Sequence, residues 1–137
     1  NKKIKSALNA NLKIIFCIGE TLLEKRNKIT HSVLKKQINH GLKGVKNVRN
    51  ILIAYEPVWA IGTGIIPKEN ELNFNITKIR KLISKKTKIE LPILYGGSVN
   101  NKNINNLKNI SGIKGFLVGS ASQKTKKFID IIKKTIN

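Results

Sequence analysis

The sequence predicts an α/β fold built from parallel βα repeats, and three observations carry that expectation. Short apolar runs alternate with longer amphipathic stretches along all 137 residues. The runs are LKIIFCI (12–18), ILIAY (51–55), LPILY (91–95) and GFLV (115–118); they lack period-2 alternation and are punctuated by Gly or Glu-Pro, as in strands buried on both faces. The order α-βαβαβαβα then requires crossover connections, which make neighbouring strands parallel and the crossovers right-handed. An open doubly wound sheet and a (β/α)8 barrel both satisfy this order. Four βα units amount to half of a closed eight-stranded barrel, which takes about 250 residues.

Residues 2–10 read as the end of a helix whose start precedes the chain. THSVLKKQINHGL (30–42) places Val33, Leu34, Ile38 and Leu42 on one helical face, and ENELNFNITKIRKLISKK (69–86) repeats the pattern with Leu72, Ile76, Ile79, Leu82 and Ile83. NINNLKNI (103–110) is a shorter helix. QKTKKFIDIIKKTI (123–136) closes the chain with Phe128, Ile131, Ile132 and Ile136 as its apolar face. No linker composition marks an internal boundary, so residues 1–137 are expected to form one partial domain. The chain has no methionine, even at position 1, which leads to the expectation that it is a piece of something longer.

Composition narrows the function classes. The chain carries 27 Lys+Arg against 7 Asp+Glu, a formal net charge of +20. That excess on its own points to nucleic acid or an anionic membrane. The lysines, however, are spread through nearly every segment without a long basic tract. With 24 Lys, only 3 Arg, 17 Asn and 23 Ile, the charge also matches what an AT-rich coding sequence supplies. The expectation is a solvated basic surface biased towards anionic small molecules, with no nucleic acid and no membrane as partner. Apolar runs only a handful of residues long cannot span a bilayer, and no signal-peptide pattern occurs. Cys17 is the single cysteine. No intrachain disulfide is possible, a reducing compartment is expected, and the apolar neighbours Phe16 and Ile18 predict a buried, inert thiol.

In parallel α/β folds ligands bind at the carboxyl ends of the strands. Those ends here carry Cys-Ile-Gly-Glu (17–20), Glu56 with the loop PVWAIGTG, YGGSVN (95–100) and GSASQ (119–123). The last two are Gly/Ser-rich turns leading into helices, where free backbone N–H groups bind phosphate. Tight turning alone would explain any one glycine. Two such turns at successive strand ends, with Gly62 and Gly64 on a third loop, favour an oxyanion or phosphate site. Glu56, at the end of an apolar run beside Pro57 and near Trp59, should be partly desolvated, which strengthens a carboxylate as a base. Taken alone, pairing with one of the many lysines explains Glu56 at least as well, and Glu20 could simply cap a following helix. His31 and His40, nine residues apart on one helix, point about 180° apart and form no paired site. No metal-ligand spacing, GxGxxG or GxxxxGK[ST] motif occurs, so neither metal nor cofactor is expected.

AYEPVWAIGTG (54–64), CIGE (17–20), YGGSV (95–99) and GFLVGSAS (115–122) together resemble the triosephosphate isomerase family, in the family's order and spacing. The resemblance covers the whole chain and implies the second, carboxyl-terminal half of a TIM barrel. It implies that Glu56 is the general base interconverting dihydroxyacetone phosphate and glyceraldehyde 3-phosphate through an enediolate. Pro57 to Gly64, with Trp59, would be a hinged lid, and Glu20 would hold its tryptophan. Gly62, Ser98, Gly119 and Ser120 would contact the phosphate. The resemblance further implies a cofactor-free, cytoplasmic, usually homodimeric enzyme of glycolysis and gluconeogenesis. Two positions depart from the family: Ser120 replaces a second glycine, harmless if its φ is not positive, and IIPKEN (65–70) replaces a more polar hinge. The family's electrophilic histidine and its substrate-binding asparagine and lysine belong to the first half, so this chain alone is expected to have little activity. Alternatives are a non-catalytic half-barrel remnant, another phosphate-binding barrel enzyme and a basic nucleic-acid-binding module.

Overall fold

The computed structural model describes residues 1–136. Four parallel strands, β1 (Ile14–Ile18), β2 (Ile51–Tyr55), β3 (Ile93–Tyr95) and β4 (Ile113–Phe116), form one sheet in the order β1-β2-β3-β4. The helices are α1 (Lys2–Asn9), α2 (Leu22–Arg26), α3 (Thr30–Gly41), α4 (Glu69–Thr87), α5 (Ile104–Leu107) and α6 (Thr125–Ile136). The parallel βα order is thus the observed one.

The two long helices form where their apolar periodicity places them. α3 buries Leu34 and Ile38, with Leu42 just beyond it, and α4 buries Leu72, Ile76, Ile79 and Ile83. These side chains meet Ile51, Ile53 and Ile93 of the sheet in one cluster. Each such isoleucine or leucine contributes about 2–3 kcal/mol of transfer free energy on burial. α2 has no counterpart in the periodicity because five residues are too few to show one. It is started by a capping box, with the Thr21 side chain accepting from the Glu24 backbone N–H and the Glu24 carboxylate accepting from the Thr21 N–H.

Four expectations need correction. Burial on both faces holds for β2 but not for the outer strands: Ile15 of β1 is 46% exposed. Cys17, on the same face, is exposed and not buried, because β1 is an edge strand and the apolar character of Phe16 and Ile18 serves the other face. The apolar face of α6 is largely open. Ile131 is buried, whereas Phe128, Ile132 and Ile136 are exposed, since α6 packs on α5 and the turn before it. The last strand also begins two residues earlier than its apolar run, at Ile113, with a register irregularity between Ile93 and Leu94 of β3.

Candidate active site at the strand ends

The sheet register assembles the site. Ile18 pairs with Tyr55, and Tyr55 with Tyr95. The next residue on each strand therefore falls in one row across three strand ends: Gly19, Glu56 and Gly96. Backbone bonds hold the row, with the Glu56 N–H donating to the Ile18 carbonyl at 2.8 Å and the Gly96 N–H to that of Tyr55 at 3.0 Å. Both flanking glycines are required by close approach. A Cβ on Gly19 would lie 1.9 Å from the Glu56 carbonyl oxygen, and one on Gly96 would lie 2.5 Å from Glu56 Oε1. Glu56 is half-buried, with its carboxylate over Gly96. Sequence reasoning assigned no role to Gly19 and placed Gly96 in a phosphate-type turn, so their service to Glu56 was missed; the readable signal was the common strand-end position of CIGE, YEP and YGG.

The loop after Glu56 is tied at both ends. Pro57 leads into a 3-10 turn, Val58–Ala60, and the Val58 N–H donates to the Glu20 carbonyl at 2.9 Å. Glu20, fully buried, does not cap α2, a job taken by Thr21. Its carboxylate accepts from the Trp59 indole N–H at 2.7 Å and from the Tyr55 hydroxyl at 3.2 Å, and Tyr55 in turn accepts from Asn75. Burial, and then the negative charge of Glu20, raise the Tyr55 phenol well above its ordinary range and keep it a hydrogen donor. At the far end, the Gly64 N–H donates to Ser98 Oγ at 2.8 Å, and that hydroxyl donates to the Ala60 carbonyl at 2.6 Å. The Ser98 hydroxyl is therefore committed to the loop. Gly62 and Gly64 have φ of +70° and +78°, the left-handed region that favours glycine.

A cavity of about 540 Å³ opens between these loops. Glu56, Gly62, Gly64, Ser98, Gly119 and Ser120 all line it, whereas Glu20, Pro57 and Trp59, also singled out in the sequence, do not. Ser120 starts a short 3-10 turn, Ser120–Gln123, and its φ is not positive, so the change from glycine introduces no backbone strain. Lys124 and Lys127, unremarked in the sequence, also line the cavity, and the KTKK run directly after GSASQ was the available signal. His31 and His40 lie on α3 and do not line it. Cys17 sits beside Glu56: partial burial of its thiol, and then the Glu56 carboxylate, push it up to about 11. Among the described residues no group of His, Cys, Asp and Glu could hold a metal ion, and no helix is long and apolar enough to cross a membrane.

A half-buried carboxylate over a glycine, with glycine- and serine-bearing turns lining the same cavity, suits proton transfer on an anionic ligand. Comparison with known proteins narrows this. A family model described as triosephosphate isomerase matches residues 1–135. The chain belongs to the triosephosphate isomerase family. It is 47% identical over 139 residues to the triosephosphate isomerase of Dictyoglomus thermophilum, covering 97% of this chain and 56% of that protein. It is 43% identical over 136 residues to that of Thermodesulfovibrio yellowstonii, with 97% and 55% covered. To that of Saccharomyces cerevisiae it is 44% identical over 134 residues, with 95% and 54% covered. The chain thus spans about half the length of the triosephosphate isomerases it matches, and its four-stranded parallel sheet is a half barrel of that family.

Proposed function

We propose that the chain contributes the base and most of the phosphate cradle of a triosephosphate isomerase. The observation that carries this reading is the meeting of the Glu56 carboxylate with Gly62, Ser98, Gly119 and Ser120 around one cavity. Glu56 takes a proton from the carbon beside the carbonyl of dihydroxyacetone phosphate. The same carboxyl returns the proton to the neighbouring carbon while the proton on the first carbon's hydroxyl passes to the former carbonyl oxygen, giving glyceraldehyde 3-phosphate. Backbone N–H groups of Gly62, Ser98, Gly119 and Ser120 hold the phosphate, Ser98 with its amide because its hydroxyl ties down the loop. Pro57 to Gly64 act as the lid, held through Trp59 by Glu20, and exclude water when closed. Neither metal nor organic cofactor takes part. The same reading places the protein in the cytoplasm, in glycolysis and gluconeogenesis, as one part of an enzyme that is homodimeric when whole.

The base alone is a poor catalyst without a group to polarise the carbonyl. Both histidines of the chain lie away from the cavity, so these 137 residues by themselves are expected to show little turnover. A coupled isomerase assay tests this on the chain alone and on the chain fused to the part of the Dictyoglomus thermophilum relative that it does not span. Turnover by the fusion and none by the chain is the expected result. Normal turnover by the chain alone contradicts the division of labour. A folded but inert fusion favours the second reading, a non-catalytic half barrel, for which the exposed Ile15 and the open face of α6 speak.

A further inference from the structure

We propose that Lys25 is a positioning residue for the lid, clamping its first hinge to the helix that follows its second. The Lys25 ammonium lies over the Trp59 ring, 3.8 Å from the centroid, and also pairs with the Glu71 carboxylate. Trp59 belongs to the short turn at the start of the lid, and Glu71 to the first turn of α4, just beyond residues 65–68 at its end. Lys25 thus touches both ends of the segment between.

The arrangement follows from chemistry at each contact. An indole presents a positive N–H edge and a negative face. Glu20 takes the edge at 2.7 Å and Lys25 covers the face, so opposite charges meet opposite parts of one ring. Both residues come from one short stretch: Glu20 ends the β1 turn, and Lys25 lies on α2, whose capping box fixes where that helix starts. Glu71 is favoured at the start of α4 by the helix dipole and orients the ammonium. A lysine on a bare surface would lose much of this attraction to water. Here Lys25 is half-buried between the indole and the carboxylate, where a cation–π contact is stronger.

The clamp rests on the lid reading above, but its test does not require catalysis. Trp59 is the only tryptophan, so the fluorescence of the whole 137-residue chain reports this ring alone. Lys25→Met and Glu71→Gln should each raise acrylamide quenching of Trp59 by roughly two- to fivefold, as expected from losing such a contact. The double variant should add little to either, because both remove one device. Lys25→Arg, which keeps charge and ring stacking, should restore the wild-type value. High salt should move the wild type towards Lys25→Met, and the Met variant should respond less. Circular dichroism establishes that each variant is folded; if Lys25→Met is not, Glu71→Gln decides. Quenching equal to wild type in the folded variant overturns the clamp. Inorganic phosphate separates the two readings: a wild-type ring whose quenching ignores phosphate, while Lys25→Met still differs, supports the clamp and refutes a phosphate-responsive lid.

Discussion

The inner and outer strands of the sheet live in different environments although their sequences look alike. Ile51, Ile53 and Tyr55 of β2, and Ile93 and Tyr95 of β3, are buried almost completely. β1 leaves Ile15 and Cys17 open, and beyond β4 the helix α6 leaves Ile132 and Ile136 exposed. A strand with a neighbour on each side and helices above finds every contact its apolar residues require; a strand at the edge finds half of them. The proposed chemistry is arranged accordingly. Glu56 and Gly96 sit on the covered middle and Glu20, which ties the loop after Glu56, is fully buried just beyond β1, whereas Gly119 and Ser120 beyond β4 are exposed.

Substitutions that intrude on the middle should have the largest effects. Gly19→Ala drives a Cβ to 1.9 Å from the Glu56 carbonyl oxygen, a backbone atom that cannot rotate away. It should destabilise by about 3 kcal/mol or more in a urea titration, at the severe end for overpacking. Ile53→Ala should cost about 2–5 kcal/mol by leaving a cavity in the centre of the sheet. Ile15→Ala, on the edge strand and on the opposite face, where Ile15 pairs with Leu52, should cost less than about 1 kcal/mol because the side chain is 46% exposed. Equal losses at the two positions would erase the distinction drawn here. Glu20→Ala removes the acceptor for the Trp59 N–H and the Tyr55 hydroxyl, and about 2 kcal/mol is expected, with increased quenching of Trp59.

The smallest expected effect is chemical. Cys17 is reachable at the edge, yet its thiol is pushed up to about 11 by burial and by Glu56. A raised thiol pKa means less thiolate at pH 8, so iodoacetamide should modify Cys17 more slowly than a free cysteine there. The rate should climb towards pH 11, and Glu56→Gln should shift that climb to lower pH. An ordinary thiol profile, unmoved by Glu56→Gln, would detach Cys17 from the site.

Much of this was legible in the sequence wherever local pattern and environment agree. ILIAY coincides with β2 because Glu-Pro ends the run at the point where pairing ends. The two long helices 30–41 and 69–87 follow their apolar spacing because α3 and α4 have a sheet to cover. Glu56, Gly62, Ser98, Gly119 and Ser120 were readable as strand-end residues, and the structure brings them around one cavity. What was not legible depends on distant neighbours. The exposure of Cys17 and of the α6 face is set by what lies beside an edge, which no local window contains. α2 was too short for periodicity, although T-x-x-E at Thr21–Glu24 signalled its start. The need for glycine at 19 and 96 emerges only once the register aligns three strand ends.

The central claim, that Glu56 is the base and is separable from the phosphate cradle, is tested most directly by Glu56→Asp in the fusion with the unspanned part of the Dictyoglomus thermophilum relative. Shortening the side chain by one methylene withdraws the carboxylate from the reacting carbon and leaves Gly62, Ser98, Gly119 and Ser120 untouched. The account predicts a fall in kcat of about 10²-fold or more, with inorganic phosphate inhibiting as strongly as before. A kcat equal to that of the parent fusion would contradict it.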